Sequence, residues 1–442
     1  MKRQSVFTTA SIFFVIAVIS WKSFGAPFQA FAQTDIHITD PHVGFPIALP
    51  QLCDSGGANE YATRIPEIIS RNLQISGIFK VINPASFLET PGKCIAPDKV
   101  GYSDWSVIGA EGLVRGQITF NGSQVQAELY LHDVAQQRAV IGKRYETDAG
   151  DYAKIAHRFS NEIIKYFTGE AGVFGTSLVY VSRVGRFKEL FRMDLDGSNV
   201  HQLTSDKGLA ISPSWSPSGD RIVYTSYRSR TPELYFLSPE GGTPRILAQR
   251  PGLEIGAKFS RDGGTLFSSA TISGVSKIVQ FDLKGKLLRK LTEGVAIDVS
   301  PSLSPDGQQF AFCSNRSGGP QIYISADGGK DARRISFTDS NYCTSPAWSP
   351  KGDKLAFVCR KDGGNQLFVT GPDGSQGAVQ LTSSGDNEDP AWSPDGRFIA
   401  FSSNFGGGPK GVAILSLLGG RPTRVSSGQS DDSQPAWSPV VN

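Results

Sequence analysis

One string recurs along this chain at a nearly constant interval, and no other feature restricts its folding as much. Aligned on their centres, the copies are PSWSPSGD from 213, AKFSRDGG from 257, PSLSPDGQ from 301, PAWSPKGD from 346, PAWSPDGR from 390 and PAWSP from 435. The central residues Trp215, Phe259, Leu303, Trp348, Trp392 and Trp437 stand 44, 44, 45, 44 and 45 residues apart. A period of about 40–45 residues suits one four-stranded propeller blade per unit. Helix interiors and central strands reject Pro and Gly at this density, so the strings mark turns. Ser393-Pro394-Asp395-Gly396 fits a type I turn, with Pro at its second position and Gly at its fourth.

Between the turns lie short apolar runs. In the copy at 390, PAWS reads as an inner strand, RFIAFSS as a second strand, VAILSL as a third and RPTRVS as a polar outer one. Second-to-fourth strands occur six times, first at 177–204, where no such string precedes them. Inner strands also occur six times, the last at 435 with nothing after it. A ring closes if Pro435–Pro439 supplies the inner strand that the first unit lacks, which also removes an exposed sheet edge.

The front third is built differently. Residues 59–79 carry Ile65, Ile68, Ile69 and Leu73 at helical spacing, with a stop at Ser76-Gly77. EGLVRGQITFNGSQVQAELYLHDV reads as a hairpin about Asn121-Gly122, and 150–170 as a second amphipathic helix. Residues 1–32 have the form of a secretory signal: Lys2-Arg3, the apolar run at 11–20, and Ala30-Phe31-Ala32. The expected fold class is multidomain, α/β plus all-β. A small α/β domain spans 33–170, and a six-bladed β-propeller closed by the C-terminal strand spans 171–442.

Charge and cysteine content narrow the function. The formal charge of +3 comes from Lys2, Arg3 and Lys22, and is zero without the first 32 residues. Such a chain has no electrostatic case for binding nucleic acid or anionic lipid. No later stretch is apolar enough for membrane insertion, and a monomer is expected. The five Cys show no metal-like spacing; one or two disulfides among Cys53, Cys94, Cys343 and Cys359 are expected, with a leftover thiol. Cys343 and Cys359 are equidistant from the turn at Lys351 and can pair across a hairpin; Cys313 with Cys343 is the rival.

Catalysis finds little support. The nearest string to a nucleophile elbow, DGSQG at 373, lacks its first Gly. Of the five His, four precede the propeller (His37, His42, His132, His157) and His201 opens an outer strand. No phosphate-binding or dinucleotide pattern appears. No catalytic residue, metal site or cofactor is therefore expected. The alternative reading is an exported propeller hydrolase or peptidase-associated domain acting on a small molecule. The tryptophans at the motif centres are expected to pack between adjacent blades rather than to bind carbohydrate.

The loops leading into the inner strands surround one opening of the central channel. Three residues before each string stand Ala210, Glu254, Asp298, Cys343, Asn387 and Asp432, with Glu388, Asp389 and Asp431 beside them. Two readings stay open. Short polar side chains satisfy turn backbone groups, or the converging carboxylates form a docking face for a partner or cation.

The order of parts resembles the TolB family, periplasmic components of the Tol–Pal system. Beyond the repeats, FPIALP (45–50), IGAEGLVRGQIT (108–119) and AHRFSNEIIKYFTGEAGVFGTSLVYVS (156–182) are similar to that family's strings in the same order. Gln51-Leu52-Cys53 replaces the family's usual Phe, and the Cys are additional. The resemblance implies a periplasmic adaptor, not an enzyme, that supports outer-membrane integrity and envelope constriction at division. It implies that the lipoprotein Pal binds the propeller mouth and that TolA binds the mature N-terminal segment 33–43. That segment includes Asp35, Ile36, His37, Ile38 and Asp40.

Overall fold

The computed structural model describes residues 44–248, 254–326, 331–375 and 377–440. Its first elements are β1 (Phe45–Ala48), β2 (Cys53–Asp54), α1 (Asn59–Ser76) and β3 (Phe79–Val81). There follow α2 (Tyr102–Val107), β4 (Gly112–Phe120), β5 (Gln124–Asp133), β6 (Arg138–Asp148) and α3 (Ala153–Thr168). The strands form one sheet in the order β3-β1-β4-β5-β6, with β2 also on β4. Ile65, Ile69 and Leu73 are fully buried, so the 3–4 rhythm of α1 faces the sheet. Gly77 ends the helix in the left-handed region, φ 72°. A disulfide from Cys53 to Cys94 fastens the excursion between β3 and α2 to β2.

The remaining strands form six four-stranded antiparallel sheets. Blade 1 comprises Ser177–Val184, Phe187–Asp194 and His201–Gln202, and takes its inner strand from Asp432–Trp437 at the far end of the chain. Leu178 faces Trp437 and Val179 faces Ala436, so the ring is closed by the last repeat. The inner strands of blades 2 to 6 are Ala210–Trp215, Glu254–Phe259, Asp298–Leu303, Cys343–Trp348 and Asn387–Trp392. Each begins three residues earlier than the repeated string. Several outer strands are only two residues long, such as Arg333–Arg334 and Thr423–Arg424, which leaves little edge for unwanted pairing.

All six inner strands share one irregularity. The third residue of each (Ser212, Gly256, Ser300, Ser345, Asp389, Gln434) has φ between 51° and 71°, and the ladder register slips there. Five of the six are followed by Pro, which has no N–H to lose from the ladder. A bulge of this kind re-aims the side chain and bends the strand. The bulges also join neighbouring blades: Asp389 accepts from the Gln434 N–H at 3.2 Å, and Gln434 Oε1 accepts from the Ser212 N–H at 2.8 Å. One turn further along, the Trp392 indole donates to the Ala347 carbonyl at 2.8 Å and the Trp215 indole to that of Ala436 at 3.1 Å. These tryptophans latch adjacent blades.

The α/β domain sits on the propeller end where the inner strands finish. Arg397 donates to Thr168 Oγ1 and to the Ala171 carbonyl, and Lys351 pairs with Glu170. Ser416 Oγ donates to the Ser76 carbonyl at 2.6 Å. Gly77 lies so close to Gly419 that a Cβ on it would stand 2.0 Å from the Gly419 oxygen. Among the described residues, this docking leaves the other end of the channel to the propeller's own side chains.

Candidate functional site

At the end where the inner strands begin, a cavity of about 600 Å³ opens the channel, and among the described residues only those of the propeller line it. Its charged groups are Arg183, Lys188, Arg360 and Lys410 against Glu388, Asp389 and Asp431. The cations come from second-to-third strand hairpins: Arg183 and Lys188 in blade 1, Arg360 in blade 5, Lys410 in blade 6. Lys410 bridges Glu388 and, at 2.8 Å, Asp386. Asn365 adds a hydrogen bond to Glu388 at 2.6 Å. Arg183 pairs with Asp431 at 3.3 Å. Arg360 lies on the Tyr342 ring, 4.0 Å from its centroid.

Electrostatics follow from these contacts. Burial opposes the charge on Lys410, but its hydrogen bonds to Asp386 and Glu388 prevail and raise its pKa. Asp389 lies deeper, and burial pushes its carboxyl up despite a hydrogen bond from Ser402 Oγ at 2.9 Å. Lys258, on the opposite inner strand, is pushed down by burial, with Asp389 partly restoring its charge.

The nine positions read from the loops divide sharply. Glu388, Asp389 and Asp431 are brought together at the mouth. Glu254, Asp298, Asn387 and Asp432 are not: with Ala210 and Cys343 they begin the inner strands and are at most 3% exposed. This corrects their expected place on a docking face. Asp298 is held by Lys277 at 3.0 Å and Arg316 at 3.2 Å. Asn387 donates to Gln366 Oε1 and accepts from Ser403 Oγ, and Asp432 accepts from Ser430 Oγ. Asp298 and Asn387 thereby tie their blades to the preceding ones, through Lys277 and Gln366. Nor is the mouth simply acidic, since four cations interleave its carboxylates. Those cations were missed because the hairpins that carry them have no recurring motif.

Asp35, Ile36, His37, Ile38 and Asp40 lie outside the described residues. Cys343 faces Cys359 across the hairpin and the two form a disulfide, while the buried Cys313 thiol donates to the Cys343 carbonyl at 3.6 Å. His132 and His157 are buried in the α/β domain, and His201 is exposed on the rim of blade 1. Among the described residues, no group of three or more His, Cys, Asp or Glu is placed to hold a metal ion. None of the described helices is long and apolar enough to cross a membrane. At the far end of the channel, the repeated strings enclose a second cavity of about 780 Å³, ringed by prolines and the motif centres.

Fold and site together define a class: a six-bladed propeller with an α/β domain docked at one end and a charged mouth at the other. Residues 164–441 match the family model described as the TolB beta propeller domain, and residues 34–140 match the TolB amino-terminal domain. The chain belongs to the TolB family. It is similar to the Tol-Pal system protein TolB of Anaeromyxobacter dehalogenans (strain 2CP-1 / ATCC BAA-258), with 35% identity over 39% of this chain and 40% of the relative. The corresponding protein of Geobacter metallireducens (strain ATCC 53774 / DSM 7210 / GS-15) is 37% identical over 38% of this chain and 39% of its own. The matched stretches thus span well under half the length of these curated relatives. The crystal structure of TolB from Acinetobacter baumannii superposes with a TM-score of 0.79 at 25% identity, covering 90% of this chain and 98% of that one.

Proposed function

We propose that this protein is a periplasmic, non-catalytic adaptor of the Tol–Pal system. Pal engages the charged mouth, TolA engages residues 33–43, and the adaptor supports outer-membrane integrity and envelope constriction. One observation carries the reading: a concave, ion-lined opening lined by propeller residues, at the end away from the docked α/β domain. Ionic rims of this kind steer a protein partner and set its register more than they add raw affinity. Lys410 is the pivot, since it neutralises both Glu388 and Asp386. Titration calorimetry of the soluble Pal and TolA domains against three proteins tests the proposal. Lys410→Glu should weaken Pal and leave TolA alone. Removal of Gln33–Val43 should abolish TolA binding from a protein that stays folded. Pal binding that ignores Lys410→Glu would refute the mouth assignment.

A further inference from the structure

The charges at the mouth are not equally occupied. All three carboxylates are engaged within the protein: Glu388 by Lys410 and Asn365, Asp431 by Arg183, and Asp389 by Ser402 and the Gln434 N–H. Two of the four cations, Lys410 and Arg183, are consumed in those pairs. The other two, Arg360 and Lys188, have no carboxylate partner among the described residues. Arg360 is exposed and its guanidinium carbon sits over the Tyr342 ring, 4.0 Å from the centroid, a contact that tethers the side chain at the rim and leaves its N–H groups to solvent. The backbone supports this arrangement, because the Arg360 N–H donates to the Tyr342 carbonyl at 3.0 Å. The charge left unanswered along the opening is therefore positive.

We infer that the mouth takes an acidic peptide segment, with Arg360, stacked on Tyr342, as its principal carboxylate receptor and Lys188 as a second. An open guanidinium fork matches a carboxylate in two parallel hydrogen bonds, a geometry that an ammonium cannot reproduce. A basic segment would meet carboxylates that already have partners and two cations that repel it. The inference rests on the mouth being the partner site and adds the chemistry of what enters it.

The test uses the full mature chain and two probes, octaglutamate and octalysine peptides, titrated at low and at physiological salt. Octaglutamate should bind and octalysine should not. Arg360→Glu should weaken octaglutamate roughly tenfold at low salt, mostly through slower association, and the loss should shrink as salt rises. Arg360→Lys, which keeps the charge but loses the fork, should recover only part of the affinity. Arg360 is exposed, so the variants should melt like the parent. Preferential binding of octalysine, or octaglutamate affinity indifferent to Arg360→Glu, overturns the inference. A Pal domain that binds but fails to compete with octaglutamate overturns the placement of Pal at the mouth instead, leaving the charge preference standing.

Discussion

At the scale of single residues, two buried groups have consequences that can be measured. Asp298 is wholly buried between Lys277 and Arg316, and Lys277 also donates to the Ala296 carbonyl. Removing one member of a buried ionic group strands the others and costs about 3–5 kcal/mol. Asp298→Ala should therefore lower stability to urea by that order while leaving affinity at the mouth unchanged. Lost partner affinity without lost stability would return Asp298 to the docking face. His132 gives a pH dependence. Burial, aided by the nearby Arg115 charge, lowers its pKa from 6.5 to about 4. The unfolded chain then binds a proton that the folded chain refuses. Stability is fully present above pH 6.5 and is lost as pH falls toward about 4, by an amount of order 3 kcal/mol. His157 is lowered in the same direction by burial and adds to the slope. Urea midpoints from pH 7 to 4 should fall more steeply for the parent than for His132→Asn, and parallel curves would contradict the assignment.

At the scale of elements, the outer strand Thr423–Arg424 of blade 6 ties the docked domain to the mouth. Arg71 of α1 donates to the Arg424 carbonyl at 2.9 Å. The Arg424 guanidinium reaches the carbonyls of Ser403, Phe405 and Pro409, in the loop that ends at Lys410. It fits a slot where a Cβ on Gly428, whose φ is 69°, would stand 2.5 Å from its Nη1. Arg424→Ala should free that loop and weaken the partner held near Lys410. In a double-mutant cycle with Lys410→Ala the two should couple by about 0.5–3 kcal/mol, and additive effects would dismiss the tie. None of this was legible beforehand, because Arg424 acts through carbonyls that any sequence carries. What could be read was whatever repeats or alternates: the period, the turns, the apolar rhythm of α1 and the missing first inner strand. The mouth was half legible. Counting back three residues from each string lands on the strand itself. The left-handed third residue then shifts the ladder register, so Asp298 is buried between Lys277 of the preceding blade and Arg316 of its own, while Asp389 lines the mouth. A signal for that bulge does exist, in the Pro that follows five of the six bulged residues.

At the scale of the whole molecule, the last inner strand holds together parts that lie far apart in sequence. Asp432–Trp437 pairs with Ser177–Val184, and Gln434 links blade 6 to blade 2 through Asp389 and the Ser212 N–H. Trp437 donates to Thr176 Oγ1 at 2.8 Å and stacks on Phe398, so the segment joining α3 to the first blade hangs on the same side chain. Closing a ring in this way abolishes the edge that an open six-sheet array would present. It also makes stability cooperative, because loss of one strand exposes blade 1 and unlatches blade 2 at once. Trp437→Ala alone should cost about 3–5 kcal/mol, the usual range for a buried Trp. Deleting residues 434–442 should cost more and expose a fresh edge along Leu178 and Val179. The truncated protein should lower its urea midpoint, associate through that edge as concentration rises, and become sensitive to protease near residues 170–176. Sedimentation, urea titration and limited proteolysis of the two forms measure these effects separately. A truncated chain that stays monomeric with an unchanged midpoint would show that the ring needs no closing strand, and the architecture argued from the interrupted last repeat would fail with it.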